Sequence, residues 1–200
     1  MSAAGFGSRS SGRSAGRLQT IGIGAIAAVV IGVLVYAASG QGPSSDGVTE
    51  IDLGAGLAAT APVVGGTPPD FTAVTWEGKT VSLSDYAGKP IWLTFGASWC
   101  ADCRAEAPDL EATYLANKDQ GLVILGVFIQ EPKEDVGGYA QRAGLTFPIV
   151  VDERADIAAA YRTMGIPTHF FIGPDGKIRE IRIGALPRDE MDRAVASLMN

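Results

Sequence analysis

The chain has 200 residues, a formal charge of −6 and 46% hydrophobic residues, enough for one domain of ordinary size plus a further segment. Arg9, Arg13 and Arg17 all precede the first acidic residue, Asp46, so 13 basic residues face 22 acidic ones beyond them, a formal −9. A surface of that sign excludes nucleic acid as a partner, because phosphate binding needs a basic face, and it reads as a solvated acidic exterior.

Residues 1–17 form a basic tail. Residues 18–38, LQTIGIGAIAAVVIGVLVYAA, carry no charge and are long enough to span a bilayer as a helix. Arginines before this run and acids after it place the N-terminus in the cytoplasm and the rest of the chain outside. A cleaved signal peptide is the competing reading, since YAASG offers small residues, but the apolar run exceeds the usual signal core. No Cys lies near its end to carry a lipid. Either way the remainder is exported. Residues 39–66, rich in Gly, Ser, Ala, Thr and Pro, read as a flexible tether, and 67–200 as the folded domain.

Within the domain, FTAVTWEGKTVSL predicts a β-hairpin around Glu77–Gly78. IWLTFGA (91–97) reads as a buried strand, and a helix follows over Ala101 to about Ala116. LVILGVFI (122–129) is continuous, apolar and partly β-branched, the mark of a fully buried strand. A helix over 134–143 stops at Gly144, FPIVVD gives another strand, and RADIAAAYRTM a helix stopped by Gly165. Strands over 168–172 and 177–183 flank the turn GPDGK. LPRDEMDRAVASLM closes the chain as a helix. The alternation predicts an α/β sandwich with a mixed sheet and helices on both faces.

The only two cysteines, Cys100 and Cys103, fall where a buried strand gives way to a helix. Free N–H groups and the positive end of the helix dipole favour a thiolate at Cys100. The accessible Cys100 would attack a substrate disulfide, and Cys103, one turn on, would resolve the mixed disulfide. Zinc would need four ligands, and beyond these thiols His169 is the single histidine, so no metal site is expected. A structural staple closing so short a loop removes little unfolded-state entropy. In an exported, oxidising setting a reduced dithiol needs an outside electron source. Downstream, GIPTHFFIGPDGKI places Ile166–Pro167 before a strand. A cis peptide there would free the Ile166 backbone to pair with an extended client chain; an ordinary trans Pro at a strand start is the bland alternative.

WCADC after an apolar strand, Pro108 eight residues past Cys100, and GIPTHFFIGPDGKI together resemble the thioredoxin superfamily. PPDF, the hairpin VTWEGKTVSLSDYAGKP, CRAEAP and the added βα unit around 122–143 resemble its membrane-anchored TlpA/ResA-like thiol-disulfide oxidoreductases, over about residues 66–199. The resemblance implies a thioredoxin-like three-layer sandwich with an N-terminal hairpin and an inserted βα unit. It implies Cys100 as nucleophile, Cys103 as resolving thiol, Pro167 as a cis-Pro beside them and Pro108 as a kink in the first helix. Trp99 would flank the site, or pack as a partly buried aromatic. Glu106 matches a carboxylate that assists proton transfer, with a solvated helix residue as its alternative. The position of thioredoxin's buried Asp holds Thr94, which shifts proton handling to Glu106 or water. Implied clients are apocytochrome c and copper-site assembly proteins, with a membrane electron donor and no cofactor beyond the Cys100–Cys103 disulfide. A peroxidase-like or oxidising enzyme and a binding module with a fixed disulfide are the other classes; against the first, no Thr-x-x-Cys pattern exists.

The departure from the family lies between the cysteines, where Ala101–Asp102 stands in place of a Pro before the second Cys. A carboxylate at 102 disfavours a neighbouring thiolate, so Ala101 and Asp102 are expected to tune the couple. His169 is read as a structural residue, and Trp76 and Trp92 as sheet packing.

Overall fold

The computed structural model describes residues 61–199, so the basic tail, the expected membrane span and most of the expected tether lie outside the described residues. Among the described residues no helix is long and apolar enough to cross a membrane. Gly65 and Gly66, expected in the tether, already belong to the domain: the Gly65 N–H donates to the Ile178 carbonyl (2.7 Å) and the Ile178 N–H to that of Gly66 (2.9 Å).

The predicted hairpin forms from β1 (Thr72–Val74) and β2 (Thr80–Ser82), paired antiparallel. Gly78 sits in its turn at φ +88°, a conformation that costs a residue without Cβ nothing. Five further strands make the central sheet: β3 (Ile91–Gly96), β4 (Val123–Ile129), β5 (Ile149–Asp152), β6 (Thr168–Ile172) and β7 (Ile178–Ile183), in the order β5-β4-β3-β6-β7. β4 runs parallel to β3 and β5, and β6 runs antiparallel to β3 and β7. Thr75 bridges to Val150, which fastens the hairpin beside β5. The mixed sheet is the one predicted.

Helices α1 (Ala101–Asn117), α2 (Lys133–Ala143) and α4 (Arg188–Met199) cover one face. Their Ala107, Leu110, Val136, Met191 and Leu198 pack with Trp92, Ile124 and Phe171 of the sheet. Short α3 (Asp156–Ala160) and the hairpin cover the other, where Phe71, Val81, Ile157 and Tyr161 meet Leu93, Phe95, Leu125 and Phe170. Alternation along β3 divides its side chains between the two cores.

One helix is shorter than the sequence suggests. The sequence predicts a helix over 154–164 stopped by Gly165, but α3 ends at Ala160. Arg162 turns left-handed at φ +53°, and the Arg162 and Thr163 amides donate back to Ala159 (3.1 Å) and Ala158 (2.9 Å). This is glycine-type helix-end geometry carried by an arginine. Burial of Tyr161, whose hydroxyl donates to the Pro69 carbonyl at 2.7 Å, fixes the chain there.

Candidate active site

The site assembles at the ends of β3 and β4, where β3 hands over to α1. Cys100 is the N-cap residue of α1, with extended backbone (φ −76°, ψ 120°), and its Sγ accepts the Cys103 N–H at 3.1 Å. Cys100 and Cys103 are joined as a disulfide, their Cα atoms 5.3 Å apart. Ala97 and half-buried Ile166 pack around them. The sequence makes Cys100 the accessible thiol, but exposure does not separate the two residues, which are 7% and 8% exposed in the disulfide. Local electrostatics does, because the helix N-terminus and a donated amide serve Cys100 alone.

The Ile166–Pro167 peptide is cis, and the Ile166 carbonyl lies 3.9 Å from Cys100 Sγ. Trp99 is 54% exposed, so it flanks the dithiol rather than filling the core. Ala101 and Asp102 are exposed on the first turn of α1, and Pro108 lies inside that helix. A cleft of about 390 Å³ runs beside the disulfide, lined in part by Trp99, Ile129, Ala159, Met164 and Ile166.

Ser98 is gripped from both sides. Its N–H donates to Glu131 at 2.7 Å and its hydroxyl to the other Glu131 oxygen, while Arg104 donates to its carbonyl at 3.0 Å. Gln130, at φ +56°, turns the chain after β4 so that Glu131 reaches this loop. Burial pushes the Glu131 carboxyl above its usual range; the Ser98 donors oppose this and Asp135 adds to it. Sequence reasoning missed this grip. An acid directly closing a fully buried strand, at 130–131, was the available signal.

Glu106 is not a solvated helix residue. It is 5% exposed, accepts the Leu186 N–H at 3.1 Å, and its Oε2 lies 3.5 Å from His169 Nε2. His169 is fully buried beside Thr94, its register partner on β3. Its Nδ1 takes the Trp92 indole N–H at 3.2 Å and lies 3.0 Å from Thr94 Oγ1. Trp92 thus packs in the sheet as expected and also serves a polar cluster. Glu106 follows Cys103 by one helical turn, on the same side of α1. Among the described residues no group of three or more His, Cys, Asp and Glu is placed to hold a metal ion.

A two-sulfur centre at a helix N-cap, with an acid one turn behind it, is equipped for thiol-disulfide exchange. Comparison with known proteins agrees. Residues 64–181 match the AhpC/TSA family model. The chain is 39% identical over 139 residues to the thiol-disulfide oxidoreductase ResA of Geobacillus kaustophilus, covering 70% of this chain and 80% of that protein. It is 34% identical over 122 residues to ResA of Bacillus subtilis, covering 61% and 68%. Among solved structures, one described as a thiol:disulfide interchange protein DsbE from Chlorobium tepidum superposes with a TM-score of 0.66 at 25% identity, covering 70% of this chain and all of that one. The chain therefore belongs to the AhpC/TSA family of thioredoxin-fold proteins, and within it is a thiol-disulfide oxidoreductase of ResA/DsbE type.

Proposed function

We propose that this oxidoreductase is exported, tethered to the membrane by residues 18–38, and reduces disulfides in other proteins. The Cys100 thiolate attacks a client disulfide; one client sulfur bonds to Cys100 and the other leaves as a thiolate. Cys103, deprotonated, then attacks Cys100 Sγ, which releases the second client thiolate and leaves the Cys100–Cys103 disulfide. Two electrons pass to the client, and a membrane electron donor returns them. The disulfide is the only redox group the cycle uses. Glu106 takes the Cys103 proton, and Trp99, Ile166 and Pro167 receive the client chain.

The observation that carries this reading is the Cys103 amide donating to Cys100 Sγ at the N-cap of α1, because it stabilises charge on one sulfur of the pair. A protein client is supported by exposed apolar side chains at this end, Trp99 and Met164 (92% exposed), beside an open cleft. By their names the matched relatives exchange thiols and disulfides; apocytochrome c and copper-site assembly proteins are the client classes proposed here.

The test is a trap. A Cys103→Ser variant of the full chain, expressed with its tether, should accumulate mixed disulfides through Cys100, and a Cys100→Ser variant none. Proteins released from the trap by reductant identify the client. If Cys103→Ser captures nothing while the wild type reduces insulin, a protein client is wrong. If the wild type leaves insulin untouched, the disulfide is a fixed one.

A further inference from the structure

Trp92 decides the protonation of His169. An indole N–H only donates, so His169 Nδ1 must be the acceptor of the 3.2 Å contact, and the Thr94 hydroxyl 3.0 Å away donates to the same nitrogen or lies beside it. The ring proton is then on Nε2. Nε2–H has no hydrogen-bond partner at ordinary distance, and the polar atom it faces is Glu106 Oε2 at 3.5 Å. A fully buried donor left without a partner is unfavourable, because the hydration it loses is not replaced.

Among the described residues no Lys or Arg makes an ion pair with Glu106. Arg104 is engaged by Ser98, Arg182 of β7 by Glu180, and Arg188 by Asp192, with Asp109 4.0 Å away. From α2, Tyr139 faces the same region; burial above all pushes its phenol up, Arg104 opposes, and Glu106 and Glu131 add to the rise. From the segment before α4 comes the Leu186 amide. The carboxylate thus accepts an amide on one side and has the imidazole Nε2 3.5 Å away on the other.

We infer that His169 is a positioning residue for the exchange reaction: Trp92 locks it as the Nε2–H tautomer, and that N–H closes on Glu106 to hold the carboxylate that accepts the Cys103 proton. The proton moves from Cys103 Sγ to Glu106, directly or through water. The Cys103 thiolate then attacks Cys100, and the client thiolate departs. This rests on the reading of Glu106 as proton acceptor.

His169 is the only histidine in the chain, so its ring nitrogens give an unambiguous signal in ¹⁵N NMR of the full-length protein, with no variant required. The Nε2-protonated tautomer is expected in both redox states. The second arm mixes reduced protein with 5,5′-dithiobis(2-nitrobenzoate) in a stopped-flow instrument. The first thionitrobenzoate released reports attack by Cys100 and the second reports closure by Cys103. His169→Phe should slow the second phase about tenfold at neutral pH and move its pH profile upward, with the first phase within about twofold. His169→Gln keeps an acceptor for Trp92 and a donor for Glu106, and should restore the profile. Glu106→Gln should match His169→Phe, and the double variant should be no slower than either single one. An imidazolium or an Nδ1-protonated ring, or additive losses alongside a normal Glu106→Gln response, overturns the role of His169. A second phase that ignores Glu106→Gln overturns the reading of Glu106 itself, and the inference with it.

Discussion

On one face of the sheet Leu93, Phe95, Leu125, Val127 and Phe170 meet the hairpin and α3, and the buried polar groups at its rim are spent on backbone. Asp152 accepts the N–H groups of Asp156 (2.8 Å) and Ala158 (2.9 Å), and Thr168 donates to the Gly165 carbonyl. On the other face Trp92, Thr94, His169 and Glu106 address one another, with one donor left over, beneath the helix that carries both sulfurs. The first arrangement can only stabilise. The second has a proton and an acceptor to spare, so the working polarity of the core lies on one side of β3 and bulk packing on the other. Neighbouring residues of one strand, Phe95 and Thr94, fall on opposite sides of that division.

Phe95→Ala should have the largest effect, costing about 3–5 kcal/mol in denaturant unfolding, since Phe95 is fully buried against Tyr161 and Phe170. The rate of Cys103 closure should survive in the folded fraction. A variant that loses closure without losing stability would show that the dry face takes part in the chemistry.

Glu131→Gln should change less, and in a pH-dependent way. Burial raises the folded-state pKa of Glu131 above its ordinary value of 4.5. The folded state then binds the proton more tightly than the unfolded one. The stability this supplies is complete below that ordinary value and is lost as pH rises through the raised one. Burial raises Asp152 as well, above 3.8, with the same sign. Thermal unfolding of Glu131→Gln from about pH 4 to 8 should therefore decline less steeply than wild type, with Asp152 supplying the residual slope. A steeper decline would reverse the assignment.

Asp102→Pro should have the smallest effect on stability, within about 0.5 kcal/mol, because the residue is exposed in the first turn of α1, where Pro is accepted. Its effect should appear in equilibration with glutathione. Removing a carboxylate next to the thiolate makes Cys100 more acidic and the couple more oxidising, by roughly a few-fold in the equilibrium constant. A wild type more oxidising than the variant would remove Asp102 as a tuning residue.

What could be read from sequence followed the range of each signal. Strand β4 is one unbroken apolar run and lies where its pattern placed it; the hairpin turn and the dithiol at a helix start are similarly local. The cis Ile166–Pro167 peptide became legible only through resemblance, because a Pro before a strand is by itself ambiguous. Arg162 ends α3 against its own propensity because Tyr161 must reach Pro69, a contact 92 residues away in sequence. The grip on Ser98 and the histidine cluster were invisible for the same reason: Glu131 lies 33 residues from its partner, and His169 lies 77 from Trp92. A histidine within the buried strand THFFI was the one visible trace of the second.

The sheet has two outer strands, and each is defended against a neighbour. Thr75 occupies part of β5, and Gly65 and Gly66 occupy the start of β7, which also carries the charged Arg179, Glu180 and Arg182. Strand addition by another chain is thereby discouraged at both ends. A domain that exchanges disulfides with other proteins is at hazard of being zipped onto them as an extra strand. Here the backbone declines that invitation, and the encounter is directed to the disulfide, where each bond made is also one that exchange can undo.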